Sequence, residues 1–75
     1  MSEKDVWKFQ DLLIRNKAKL IRICRIYARN KEDQEDLFQD IAFQIWRSLK
    51  NFRGEAKIDT FLYRIALNTA LLFHK

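Results

Sequence analysis

Lys31 to Leu49 reads KEDQEDLFQDIAFQIWRSL, and the spacing of its apolar residues decides the fold. Leu37, Ile41 and Ile45 fall on one row, four residues apart, and Phe38, Ala42, Trp46 and Leu49 fall on the next. Residues three and four apart share one face of an α-helix, so the segment reads as a helix with a single core-facing stripe. Asp36, Gln39, Asp40, Gln44 and Arg47 then point outward. Asn30 stands where an N-cap belongs, and Glu32, Asp33, Glu35 and Asp36 load the first turns with carboxylates, which the helix dipole favours. Phe43 is a large apolar side chain off the stripe; it either packs on a neighbouring helix or offers itself to a partner.

The rest of the chain is helical by the same criteria. It has no proline and one glycine, Gly54, too few breakers for the many tight turns of a small β-protein. Upstream, Phe9, Leu13, Leu20, Cys24 and Tyr27 recur at helical spacing, with Leu12 and Ile23 beside them, and predict a helix from about Val6 to Ala28. Asn16 and Lys17 interrupt that stripe midway and mark a place for a bend. Downstream, Gly54 ends helical continuity. Ile58, Phe61, Leu62, Ile65, Ala66, Thr69, Leu72 and Phe73 then predict a last helix. The expectation is an all-α fold, a compact three-helix bundle with helices at about 6–28, 31–49 and 58–74, forming one domain over 1–75. Leu71, Leu72 and Phe73 stand almost at the end of the chain without a polar finish. That predicts a truncated chain whose apolar surface is free to pair with another copy.

The net charge of +5 favours a polyanionic partner. Its distribution says more. Residues 1–30 carry eight positive charges against three negative, whereas residues 31–50 carry five acids against Lys31, Arg47 and Lys50. An acidic stripe on the middle helix suits a second, different partner rather than more nucleic acid. The lone Cys24 fits a reducing cytoplasm, the first residues show no signal-peptide pattern, and no apolar run approaches the ~20 residues of a membrane span. We expect a cytoplasmic protein with no membrane partner.

Catalysis has little to build on. His74 stands next to the C-terminus, Cys24 lies on an apolar stripe, and there is no glycine-rich phosphate loop. The carboxylates of the middle helix are consecutive rather than convergent, which suits capping and solvation better than a metal. Neither an enzyme nor a metal or cofactor is expected.

The segment from Phe52 to Ala70 carries the functional signal: FRGEAKIDTFLYRIALNTA. Aromatic faces, cations and short polar groups are what hold single-stranded DNA. A plain reading also exists, in which Phe52 and Phe61 are core, Arg53 and Arg64 are solvated, and Thr60 caps a helix.

Three blocks, DLFQDIAFQIW (36–46), FRGEA (52–56) and TFLYRIALNTA (60–70), in this order and spacing, resemble region two of the extracytoplasmic-function (ECF) sigma factors of the sigma-70 superfamily. With the basic helix before them, the resemblance covers about Phe9 to His74. It implies a promoter-recognising domain of transcription initiation, with core RNA polymerase and promoter DNA as partners. Asp36, Gln39, Asp40, Phe43, Gln44 and Arg47 match the positions that dock on the β′ clamp helices. Phe52, Arg53, Gly54, Lys57, Ile58 and Thr60 match the loop that captures a flipped-out base of the non-template single strand in the minus-ten element; Tyr63, Arg64 and Asn68 match the helix that follows. An anti-sigma factor covering the clamp-binding face is a further implied partner. Many relatives have an aromatic residue where Ile58 stands, and most turn polar where Leu71, Leu72 and Phe73 stand. The second helical domain of full members, which reads the minus-thirty-five element, has no counterpart here.

Two other classes remain open at this stage. One is a stand-alone DNA-binding domain, which needs a polar recognition helix where the third helix is apolar. The other is a basic helical interaction module that dimerises through its apolar C-terminal helix.

Overall fold

The computed structural model describes residues 3–52, 54 and 57–73. Four helices account for nearly all of them: α1 (Glu3–Arg15), α2 (Lys17–Tyr27), α3 (Lys31–Leu49) and α4 (Ile58–Leu71). The all-α expectation holds, and the last two helices begin where the periodicity starts them. The three-helix count does not hold. The first predicted helix begins at Glu3 rather than Val6 and is divided at Asn16 into α1 and α2.

The division is a kink rather than a loop. Asn16 sits at φ −107°, ψ 8°, outside the helical well. Its N–H still donates to the Leu12 carbonyl at 3.1 Å, and its own carbonyl still accepts from the Leu20 N–H at 3.0 Å. The hydrogen-bond ladder therefore passes through the bend. The side chain accounts for the break: Asn16 Nδ2 donates to the Leu12 carbonyl at 2.9 Å and to Asp59 Oδ1, at the start of α4, at 3.0 Å. A polar side chain that inserts into the ladder in this way bends a helix. Asn16 is 4% exposed, the one buried polar residue among those described. Arg15 Nη2 approaches the same Asp59 oxygen at 3.7 Å.

The bend lets both halves pack on α3, while α4 closes the bundle against α2 and α3. Leu12, Leu20, Ile23 and Cys24 meet Leu37, Ile41 and Ile45 in the core, with Leu62, Ala66 and Ala70 contributed by α4. Small residues at 66 and 70 leave room for the larger side chains of α3. At the edge, Phe9 meets Trp46 edge-on, with ring centroids 4.9 Å apart, and so ties α1 to α3. Burial pushes the Cys24 thiol pKa up, partly offset by a backbone hydrogen bond; an inert core sulfur results.

The ends of the helices follow capping chemistry. Ala28 is extended (φ −125°, ψ 138°) and stops α2. Asn30 is the expected N-cap of α3: its side chain accepts from the Asp33 N–H at 2.8 Å. The α4 cap is Lys57, without a side-chain bond, so Thr60 is not a cap but an exposed residue of the first turn. Two stripe assignments are also corrected. Tyr27 is the last residue of α2 and is 39% exposed, and Leu72 lies just past the end of α4 and is 76% exposed. Each has passed the point where its helix still rests on a neighbour.

Replacing Asn16 by alanine removes one buried and one part-buried hydrogen bond and should cost about 1–3 kcal/mol, a Tm loss of roughly 4–8 °C per kcal/mol in a domain of this size. Asp11→Ala removes only the exposed Arg15–Asp11 pair, 3.2 Å apart, and should change stability by less than about 1 kcal/mol. Thermal unfolding followed by circular dichroism compares them; equal losses would show that the buried amide is not what holds the kink.

Candidate functional site

The outward row of α3 is assembled as the sequence implies. Gln39, Asp40, Phe43 and Arg47 are exposed, and Asp36 and Gln44 are half-buried. Phe43 is not packed beneath a neighbouring helix. Its ring is 57% exposed, and the Arg47 guanidinium carbon lies 5.7 Å from the ring centroid, within cation–π range. Phe43 forms a ridge between two grooves. On one side, Val6, Phe9, Ala42 and Trp46 line a shallow depression between α1 and α3. On the other, Phe43, Asp40 and Gln44 face Ile65, Asn68 and Thr69 across an open groove of about 750 Å³ between α3 and α4. Of the residues expected to contact DNA, Asn68 alone lines this groove beside Asp40, Phe43 and Gln44.

The connection between α3 and α4 starts as a tight turn, with Asn51 N–H bonded to the Ser48 carbonyl at 3.0 Å and Phe52 N–H to the Leu49 carbonyl at 3.2 Å. Phe52 then lies on Phe61, with ring centroids 4.8 Å apart. Both rings are half-buried, so Phe52 anchors the connection on α4 rather than standing free. Gly54 adopts φ +78°, and a Cβ there would meet no atom within 4 Å. Glycine is needed for the left-handed backbone, not for space. Arg53, one of the expected DNA contacts, lies outside the described residues, as do Glu55, Ala56 and His74.

Past the turn, Lys57 is exposed and Ile58 is half-buried against the core. Thr60, Arg64 and Asn68, four residues apart, form one exposed row along α4, with exposed Tyr63 on the neighbouring row toward α2. The α4 candidates thus share one broad face, and Asn68 marks its border with the α3 groove.

Two features of this surface escaped sequence reasoning. Asp59 ties the first turn of α4 to Asn16 and Arg15. Asn16 itself was visible as a break in an apolar stripe, but its partner, 43 residues away, was not. Lys19, Arg22 and Tyr27 line a groove with Thr60 and Tyr63; on the sequence Lys19 and Arg22 read as part of a basic, solvated face and Tyr27 as part of the apolar stripe. Among the described residues no group of His, Cys, Asp or Glu converges to hold a metal ion, and no helix is long and apolar enough to cross a membrane. The chemistry on offer is recognition: an acidic and amide row with one aromatic ridge, beside a face of cations, hydroxyls and an amide.

The family model for sigma-70 region 2 matches residues 12–75. The chain is 32% identical over 62 residues to the RNA polymerase sigma-H factor of Pseudomonas aeruginosa, covering 83% of this chain and 32% of that protein. It is 33% identical over 67 residues to the ECF RNA polymerase sigma factor SigM of Mycobacterium tuberculosis, covering 89% of this chain and 34% of that one. With the ECF RNA polymerase sigma-E factor of Escherichia coli K12 the identity is 36% over 62 residues, 83% of this chain and 32% of the other. The chain spans about a third of the length of the curated relatives it matches. No solved structure matches it significantly.

The exposure of Phe43 and the packing of Phe52 separate two roles for surface aromatics. Phe43→Ala should leave stability within about 0.5 kcal/mol of the parent. Phe52→Ala should lose at least about 1 kcal/mol, because it strips the ring contact that holds the turn on α4. Urea unfolding curves of the two variants check this; a Phe43→Ala loss as large as that of Phe52→Ala would place Phe43 among the packed residues.

Proposed function

Because the chain belongs to the sigma-70 region 2 family, we propose that it acts in transcription initiation, docking on core RNA polymerase through α3 and holding the melted minus-ten element with the α3–α4 connection and α4. The observation that carries this reading is the exposed Phe43 beside Asp40 and Arg47 on a helix whose other face is wholly given to the core. A folded domain gains nothing by presenting so large a ring to water, whereas an aromatic anchor within a charged and amide row suits a protein interface. Gln39, Asp40 and Gln44 complement a basic helical hairpin, the character expected of the polymerase β′ clamp helices.

The relatives are RNA polymerase sigma factors by name, and that role, without catalysis, is carried here to this chain. Strand capture follows from the second surface. A base that has left the duplex stack costs a few kcal/mol, which a protein offsets by trapping it. Gly54 gives the connection its left-handed turn, Ile58 offers an aliphatic wall, and Lys57, Thr60, Tyr63, Arg64 and Asn68 supply charge, hydroxyl, ring and amide groups. Arg53 adds a second cation by family resemblance. A polymerase partner implies a cytoplasmic protein. An anti-sigma factor would act by covering Asp40 and Phe43. Reading the minus-thirty-five element belongs to a second domain, outside the 1–75 unit.

Exposed Leu71 (59%) and Leu72 (76%) favour a second reading, an interaction module that dimerises through the end of α4. Sedimentation of the free chain tests it: a dimer that leaves polymerase binding intact is compatible with the first reading, and a dimer that abolishes it replaces that reading.

Binding to purified bacterial core polymerase is the direct test, with Asp40→Lys and Gln39→Ala alongside. Asp40→Lys should weaken binding at least tenfold, about 1.4 kcal/mol, and Gln39→Ala by less. Failure of the folded, monomeric chain to bind polymerase would overturn the proposal.

A further inference from the structure

We propose that the face formed by α2 and α3 is an interface with a second copy of this chain, in which the α2 ridge of each copy lies on the α3 ridge of the other. A groove of about 460 Å³ runs between the two helices. Its floor is apolar, made by buried Cys24 and by Ile21 and Phe38, both half-buried. On one side stand Lys17, Ile21 and Arg25, at i, i+4 and i+8, with both cations exposed. On the other stand Glu35 and Gln39, and exposed Glu32 continues that row at the preceding turn. Lys31, at the head of α3, adds a third cation. Ile14 is 73% exposed and lies two turns before Ile21; the backbone ladder that passes through the Asn16 bend carries the α2 ridge on to it. An apolar centre between charged rims is the make-up of a protein interface.

Charge selects the occupant. The α2 segment KAKLIRICRIY carries Lys17, Lys19, Arg22 and Arg25 and no acid, whereas α3 opens with Glu32 and Asp33 in its first turn and Glu35 just beyond. Among the described residues, none of Lys17, Arg25, Glu32 and Glu35 has an ion-pair partner within the chain. An acidic partner would suit the α2 ridge and be repelled by α3, and a basic one the reverse. A second copy suits both. A two-fold axis along the groove sets α2 of each copy over α3 of the other, so every contact between a cation and a carboxylate occurs twice. The net charge of +5 opposes association, but at physiological salt the repulsion between charges more than ~8 Å apart is largely screened, while facing rims are closer than that. Two helices' width along the ~28 Å of α3 is a small interface, so the dimer is weak, with a Kd on the order of 10–100 μM. Gln39 belongs both to this face and to the row assigned to polymerase, so the two partners exclude each other and polymerase draws on the monomer. That consequence, unlike the interface itself, rests on the polymerase reading.

Sedimentation equilibrium of the chain, up to about 500 μM in ~150 mM salt, tests the interface. The parent should show a monomer–dimer equilibrium. Arg25→Glu and Glu35→Arg each place like charges together at both symmetry-related contacts and should weaken the dimer at least about tenfold. Arg25→Glu/Glu35→Arg exchanges the two signs and should return the dimer to within about threefold of the parent. Both positions are exposed, so the variants keep the fold. A parent that stays monomeric throughout, single variants as dimeric as the parent, or a double variant that does not recover would overturn the interface. So would a dimer lost in Leu71→Ser/Leu72→Ser and untouched by the charge variants, which would belong to the end of α4. Polymerase binding measured on the same samples separates this from the wider reading. If polymerase binding holds while the parent stays monomeric, the interface falls alone. If neither the parent nor Arg25→Glu binds polymerase while the charge exchange restores the dimer, the transcription reading falls and the interface remains.

Discussion

One carboxamide, that of Asn16, holds the two halves of this fold in register. It donates to the Leu12 carbonyl at the bend, out of water, and to the part-buried Asp59 at the head of α4. A buried amide left without partners costs more than the bonds it makes contribute, so the pairing acts as a constraint as much as an attraction. Helices that meet only through aliphatic side chains can slide or rotate with modest loss. The Asn16–Asp59 bond ties the first turn of α4 to the bend between α1 and α2. Asp59 also occupies the first turn of its helix, where negative charge is favoured.

Local rules made some of this legible in advance. The α3 stripe is set by spacing within one helix, and Leu37, Ile41 and Ile45 are buried as their row requires. Asn30 caps through a bond to a residue three positions away, so its role could be read from neighbours alone. What failed depended on partners distant in sequence. The interruption at Asn16 marked a place for a bend, but nothing near it announces Asp59, so the division into two helices could not be read from spacing alone. Tyr27 and Leu72 fit their stripes but fall at helix ends, where spacing no longer guarantees a neighbour to pack on. Phe52 carried two readings, and the ring of Phe61 settles its packing. On the candidate surfaces, the α3 row was visible as polar positions between core positions. The α2 groove was not, because it exists only once α4 lies alongside.

A chain of 75 residues has little area to divide between core and partners. Here α3 gives one side to the core and the opposite side to solvent, and α4 is apportioned the same way: Leu62, Ala66 and Ala70 inward, Thr60, Arg64 and Asn68 outward. The proposed contacts are thus carried mainly on helices. That arrangement positions side chains well, since each outward residue inherits its location from a buried neighbour one turn away.

The Phe43 ridge has a consequence for how the two grooves beside it behave. One ring forms part of the wall of both. A ligand that draws the ring into one groove takes it away from the other, and a ligand that pins it upright shapes both. Occupancy on the two sides is therefore linked through a single torsion, and the linkage is reciprocal: whatever factor the first ligand imposes on the second, the second imposes on the first. A rotating aromatic side chain of this kind is the smallest unit from which cooperativity or exclusion between two partners can be built.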